Sequence, residues 1–168
     1  MLGQREIHMG NSILYRMPSG IPVDVTHKSH STIEAHIVKT AFAAFGVFGK
    51  LTANGFVPLV AGDSANTAYG LIVRSYPTQS ASNGMGAAVP QTGIMHDVLR
   101  RGYMTVRCNA GEAKTAGKVY VRIAAGTELK PMGGIEAVAD AANTIELNNA
   151  MFMHDADAQG NVEISYNI

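Results

Sequence analysis

Three histidines that lie close together are the chain's strongest candidate for a metal site. His27, His30 and His36 share one stretch with Asp24 and Glu34, and three or four such groups converging tetrahedrally would hold zinc for a hydrolytic reaction. On extended backbone His27 and His30 project to opposite faces, so convergence needs a turn between them. Ordinary surface histidines are the better reading. Asp155-x-Asp157-x-x-Gly160 resembles the first part of a calcium loop, where spaced carboxylates wrap a hard cation. The later ligands, above all a bidentate Glu, are missing at the expected distance, so a hairpin loop fits this stretch better.

Other chemistry fails on spacing. A phosphate-binding loop needs four residues between its glycines and a hydroxyl after the lysine. Gly111-EAKTA-Gly117-Lys118-Val119 has five, with valine in the hydroxyl's place. Asn83-Gly84-Met85-Gly86 lacks the third glycine of a dinucleotide loop, and no parallel βαβ unit surrounds it. There is no G-x-S-x-G nucleophile motif, and Cys108 sits mid-strand, where a packed, inert thiol is common. Arg100-Arg101 could grip a carboxylate or phosphate, but adjacent strand residues face opposite ways, and solvated or locally paired arginines are the plainer reading. No catalytic residue, cofactor or metal is therefore assigned. The absence of Trp, with 11 Phe and Tyr in 168 residues, weakens a sugar-binding module built on aromatic platforms.

Charge narrows the partners. Thirteen Lys and Arg balance thirteen Asp and Glu, which argues against nucleic acid, whose affinity comes from clustered positive charge. Charged residues are 15% of the chain, against about 25% in soluble domains. Such a surface is either covered in part by a partner or made of small neutral residues. No apolar run approaches the roughly 20 residues that span a bilayer, and MLGQREIHMG lacks a signal-peptide core. One cysteine rules out an intrachain disulfide and fits assembly in a reducing cytoplasm.

The elements that would position these residues read as strands. Ala43–Thr78 holds two apolar runs, Phe45–Leu51 and Tyr69–Tyr76, around a middle rich in Gly, Asn and Asp. Asn54-Gly55 is a hairpin dipeptide, Gly62, Asp63 and Asn66 supply turn chemistry, and the stretch reads as a β-meander ending at Pro77. Ser31-Thr32-Ile33-Glu34 matches a helix capping box, yet Thr32–Ile37 alternates as a strand would, and the residues leave both open. In His96–Cys108, Met104, Val106 and Cys108 share one face, and Gly102 marks a bulge or a close backbone approach. Val119, Val121 and Ile123 point inward. Ile135–Ala142 carries at most a short helical turn. Leu147–His154 and Gly160–Ile168 form a closing hairpin, with Val162, Ile164, Tyr166 and Ile168 on its buried face. Gln79–Thr92 is a long loop of the kind that binds or orders on a partner. Many short strands and frequent turns predict a mainly β, single-domain antiparallel β-sandwich or small β-barrel with long loops, residues 23–168, preceded by an extended N-terminal arm, residues 1–22.

FGVFGKL, TAYGLIVRSYPTQSASNG, DVLRRGYMTVRCNAG, GKVYVRI and GNVEISYNI, in that order from about Val23 to Ile168, resemble the structural cement (head decoration) proteins of tailed bacteriophages. The resemblance favours the extended reading of Val23–Ala44. Its one departure is Ala41–Phe48, apolar where a more polar lead is expected. It implies a protein of the virion exterior, made in the host bacterial cytoplasm, that binds the major capsid protein lattice as a small homo-oligomer, trimer or dimer, with no nucleic-acid or membrane partner. The expected contacts are Arg5, Ile7 and Tyr15 in the arm, Tyr76, Gln79, Asn83 and Met85 in and beside the long loop, and Arg100 and Arg101. A tail or baseplate module is the alternative virion part, and a small metal-dependent hydrolase using His27, His30 and His36 the alternative enzyme.

Overall fold

The computed structural model describes residues 23–74 and 89–168. Its strands are β1 (Thr32–Ile37), β2 (Phe48–Thr52), β3 (Gly55–Pro58), β4 (Gly70–Ile72), β5 (Met95–Arg107), β6 (Lys118–Arg122), β7 (Ile135–Glu136), β8 (Thr144–Phe152) and β9 (Asn161–Tyr166). Short 3₁₀ turns at Lys28–His30, Ala65–Thr67 and Ala141–Asn143 are the only helical elements among the described residues. The mainly β, antiparallel reading therefore holds.

β5 is the spine. Its first half pairs with both β4 and β1, Leu99 lying opposite Leu71 on one side and Ile33 on the other. Its second half pairs with β9, from Gly102 opposite Tyr166 to Arg107 opposite Asn161. The strand order is β3-β2-β4-β5-β9-β8-β6-β7, with β1 on β5 as well. The sheet curls far enough for Val38, just past β1, to bridge Phe56 of β3. The free side of β5's second half is closed by the segment at Val23–Thr26, through Val23 N–H to the Thr105 carbonyl (2.7 Å) and Thr105 N–H to that of Asp24 (3.0 Å).

Gly102 is where β5 changes partners. Its φ of +136° suits glycine alone, and a Cβ there would lie 2.2 Å from Ser31 Oγ and 2.9 Å from Ser31 Cα. Of the two readings of this glycine, a bulge or a close backbone approach, the close approach is the one found here; the register shift against β1 falls at Arg100 instead. Gly102→Ala is expected to cost about 2 kcal/mol and to lower the melting temperature by about 4–8 °C, read by circular dichroism.

Curling creates two apolar clusters. The larger holds Phe48, Leu71, Leu99, Met104, Val121, Ile164 and Tyr166 among others; the smaller holds Val38, Phe42, Phe45, Val47, Phe56, Ile72 and Val98. Neighbours on one strand serve different clusters, as Leu71 and Ile72 do, so β4 is buried on both faces. The apolar Ala41–Phe48 departs from a polar lead because Phe42, Phe45 and Val47 fill the smaller cluster.

The extended reading that the resemblance favours holds at Thr32–Ile37, with no helix begun at Ser31, whose Oγ donates to the His27 carbonyl at 2.8 Å. Several other local expectations are corrected. The hairpin near Asn54-Gly55 forms with Thr52 opposite Gly55, so Ala53-Asn54 make the turn and the positive φ falls on Gly55. The stretch is not a simple meander, because β4 pairs with β2 rather than β3. Ile135-Glu136 is a strand, and the 3₁₀ turn follows at Ala141–Asn143. Asn167 leaves the strand at φ +56°, and Ile168 is exposed rather than inward. The closing hairpin of β8 and β9 stands as read, and so do the inward Val119, Val121 and Ile123.

Candidate functional site

Of the nine expected contact residues, Arg5, Ile7, Tyr15, Tyr76, Gln79, Asn83 and Met85 lie outside the described residues, as does most of the long loop. Arg100 and Arg101 are adjacent on β5, at a register shift against β1, and differ in burial. Arg101 is exposed. Arg100 is half-buried, its guanidinium 4.3 Å from the centre of the Tyr69 ring, with Nη1 donating to the Tyr69 carbonyl at 2.9 Å. A cation over a phenol ring is attracted by the ring's negative face.

Arg100 lines a groove of about 630 Å³. It is lined by Lys50, Asn66, Thr67 and Tyr69 and by Asn148, Asn149, Tyr166 and Asn167. The end of β9 contributes to that lining. The Tyr166 hydroxyl donates to the Ala68 carbonyl at 2.9 Å, and Asn167 Nδ2 to that of Arg100 at 2.9 Å. Asn149 Nδ2 donates to Asn167 Oδ1 at 2.7 Å, fixing the amide. Lys50 is paired with Asp63 at 2.8 Å. Among the described residues no carboxylate lines the groove and none forms a direct ion pair with Arg100, although the Arg100 charge acts on Glu34 at longer range.

Behind the ring, the Tyr69 hydroxyl donates to Glu34, and His36 Nε2 lies 3.2 Å from the same carboxylate oxygen. The Tyr69 hydroxyl first, then His36, hold the Glu34 carboxyl below its ordinary range, and the Tyr69 hydroxyl is pushed up in turn. A depressed carboxyl contributes stability above its unfolded value and loses it as pH falls through the folded one. Glu34→Gln is therefore expected to cost under about 1 kcal/mol at neutral pH, since the side chain is partly exposed. The gap in melting temperature between variant and wild type should close below about pH 4.

The candidate metal ligands are dispersed. His27 packs on Tyr103 with ring centres 4.7 Å apart and lies 3.6 Å from Glu163, His30 contacts Ser29, and His36 belongs to the Glu34 pair. No group of three metal-ligating side chains occurs among the described residues. Asp157 does hairpin work: Oδ1 accepts from the N–H groups of Gln159 (2.9 Å) and Asn161 (2.7 Å), and Oδ2 from Asn161 Nδ2 at 3.0 Å. Burial raises this carboxyl, and the Asn161 contacts and neighbouring amides outweigh it, leaving it below its usual value. Asp155 instead accepts from Thr115, N–H and hydroxyl. Burial raises the Cys108 thiol, which donates to the Ala110 carbonyl at 3.2 Å.

A second surface is apolar. Ile33, Ala35 and Ile37 project from one face of β1, with Met95 beside Ile37 across the ladder, and all four are exposed. Sequence reasoning missed this stripe and the asparagine-lined groove. Alternation along Thr32–Ile37 was the signal for the stripe; the groove had only an unexplained richness in Asn near the end of the chain.

The family model of the XM1 gp53 minor capsid protein matches residues 10–166. A solved chain from the capsid of Myoviridae phage XM1 is similar in fold, with a TM-score of 0.67 at 18% identity, covering 96% of this chain and 98% of that one. No curated protein matches. The family match begins inside residues 1–22, earlier than the motifs placed it.

Proposed function

This chain belongs to the XM1 gp53 minor capsid protein family, a capsid-associated structural family of the virion, and from that premise we propose that it is a cement protein. It binds the outer face of the major capsid protein lattice and clamps neighbouring subunits in the mature head. The family match over residues 10–166 carries this reading. The low charge and the exposed stripe of Ile33, Ala35, Ile37 and Met95 support it, because an exposed apolar face suits a partner surface.

The mechanism is mass action. A ligand that binds the mature lattice better than the immature or dissociated one stabilises it by the difference in affinity. Repetition over many lattice sites multiplies a modest single-site energy. In this reading residues 1–22 are the arm and residues 23–168 the β domain. Arm and long loop contribute neighbour contacts, the protein acts as a trimer or dimer, and its role is structural rather than catalytic.

Purified protein mixed with undecorated mature shells of its own phage tests this. Saturable binding at a fixed ratio to major capsid subunits, with a higher shell melting temperature, is expected. No binding to intact shells would overturn the cement role and move a tail or baseplate position to the front.

A further inference from the structure

We propose that the Arg100 groove is the docking site for an acidic segment of the major capsid lattice, an inference that rests on the cement reading and assigns it a site. Arg100 is half-buried and held in one orientation by the Tyr69 ring and carbonyl. A guanidinium has five N–H donors; Arg100 gives one to the Tyr69 carbonyl and also interacts with the Tyr166 hydroxyl, while the Glu34 carboxylate acts on it through space without a direct ion pair among the described residues. Taking a cation partly out of water is unfavourable unless a carboxylate answers it, so an incoming Asp or Glu side chain gains from a charge already desolvated and fixed.

The lining matches that partner. Asn66 and Asn148 are exposed, and their amides can donate to a carboxylate and accept from the backbone that carries it. The groove's roughly 630 Å³ lies within the 300–1,000 Å³ usual for a site that takes a few groups. Its two cations, one of them paired with Asp63, are too few for a nucleic-acid track, whose affinity grows with each phosphate neutralised. An acidic peptide segment is therefore the occupant. Both halves of the sheet build the site, Tyr69 and Arg100 from one and Asn149, Tyr166 and Asn167 from the other, so docking there would brace one half against the other.

The test is a binding isotherm on undecorated mature shells, comparing wild type with Arg100→Gln, Arg100→Lys and the double variant Asn66→Asp/Asn148→Asp. Each protein is first checked by its own melting curve. Arg100→Gln is expected to weaken binding at least tenfold and to flatten its salt dependence, because the charge pair is what salt screens. Arg100→Lys should retain part of the affinity. The double variant should weaken binding several-fold through repulsion, on exposed positions where the fold is not at stake. Wild-type affinity in both Arg100→Gln and the double variant would overturn the assignment while leaving the cement role standing. Failure of wild type itself to bind would instead overturn the cement role, and the site with it.

Discussion

A chain stopped after Gly160 is expected not to fold. β9 lies inside the sheet, between β5 and β8, so its loss leaves the second half of β5 and the end of β8 without their partners. It also removes Val162, Ile164 and Tyr166 from the larger cluster, where each is essentially fully buried. Burial of each such side chain contributes about 1.5–3 kcal/mol, against a total stability of about 5–15 kcal/mol for a domain. Tyr166 does more than fill space, since its ring meets Phe48 edge-on at 5.1 Å and its hydroxyl satisfies the Ala68 carbonyl.

Deleting Ile168 alone separates this from a general sensitivity to shortening. Ile168 is exposed and lies beyond β9, so its removal should move the melting temperature by no more than about 2 °C. Circular dichroism melts and limited proteolysis read both variants. A cooperative melt from the chain ending at Gly160 would mean that β5 and β8 can close on each other without β9.

How far such features were legible depends on whether the cue was local. The alternation of Val162, Ile164 and Tyr166 against Glu163 gave β9, and the paired turn residues gave the β2–β3 hairpin. β1 stayed open because Ser31–Glu34 satisfies a helix start and a strand equally; pairing with β5 decides it. In Lys118–Arg122 the alternation gave the inward Val119 and Val121 but not the burial of Arg122, because its partners Glu136 and Asp140 lie 14 and 18 positions further on. The groove was out of reach for the same reason. Tyr69 and Arg100 are 31 positions apart, and Ala68 and Tyr166 are 98 apart, so only the closed sheet brings them together. Arg100 itself could be named as a gripping residue, but not the ring that holds it or the amides that surround it.

Arg122 and Glu136 carry the second large expected effect. Arg122 is 2% exposed and Glu136 not at all. Nε donates to Oε1 at 2.5 Å and Nη2 to Oε2 at 3.1 Å, a bidentate pair, while Nη2 also reaches Asp140 at 2.8 Å and Nη1 the Ala124 carbonyl at 3.2 Å. β7 is two residues long and pairs only with β6 among the named strands, so this pair also anchors the loop that carries it. Glu136→Ala leaves a buried cation with its main acceptor gone and is expected to cost about 3–5 kcal/mol, lowering the melting temperature by about 10 °C. Replacing both partners at once, Arg122→Met with Glu136→Leu, removes the attraction and the desolvation cost together. That variant should melt within a few degrees of wild type or above it. Asp140→Asn should cost far less than Glu136→Ala, because Asp140 is partly exposed and water can take its place. If the double replacement falls as far as Glu136→Ala, the side chains matter for their shape and not for their charge. If it recovers, the penalty belongs to the orphaned guanidinium, and the pair holds β7 in place without adding net stability of its own.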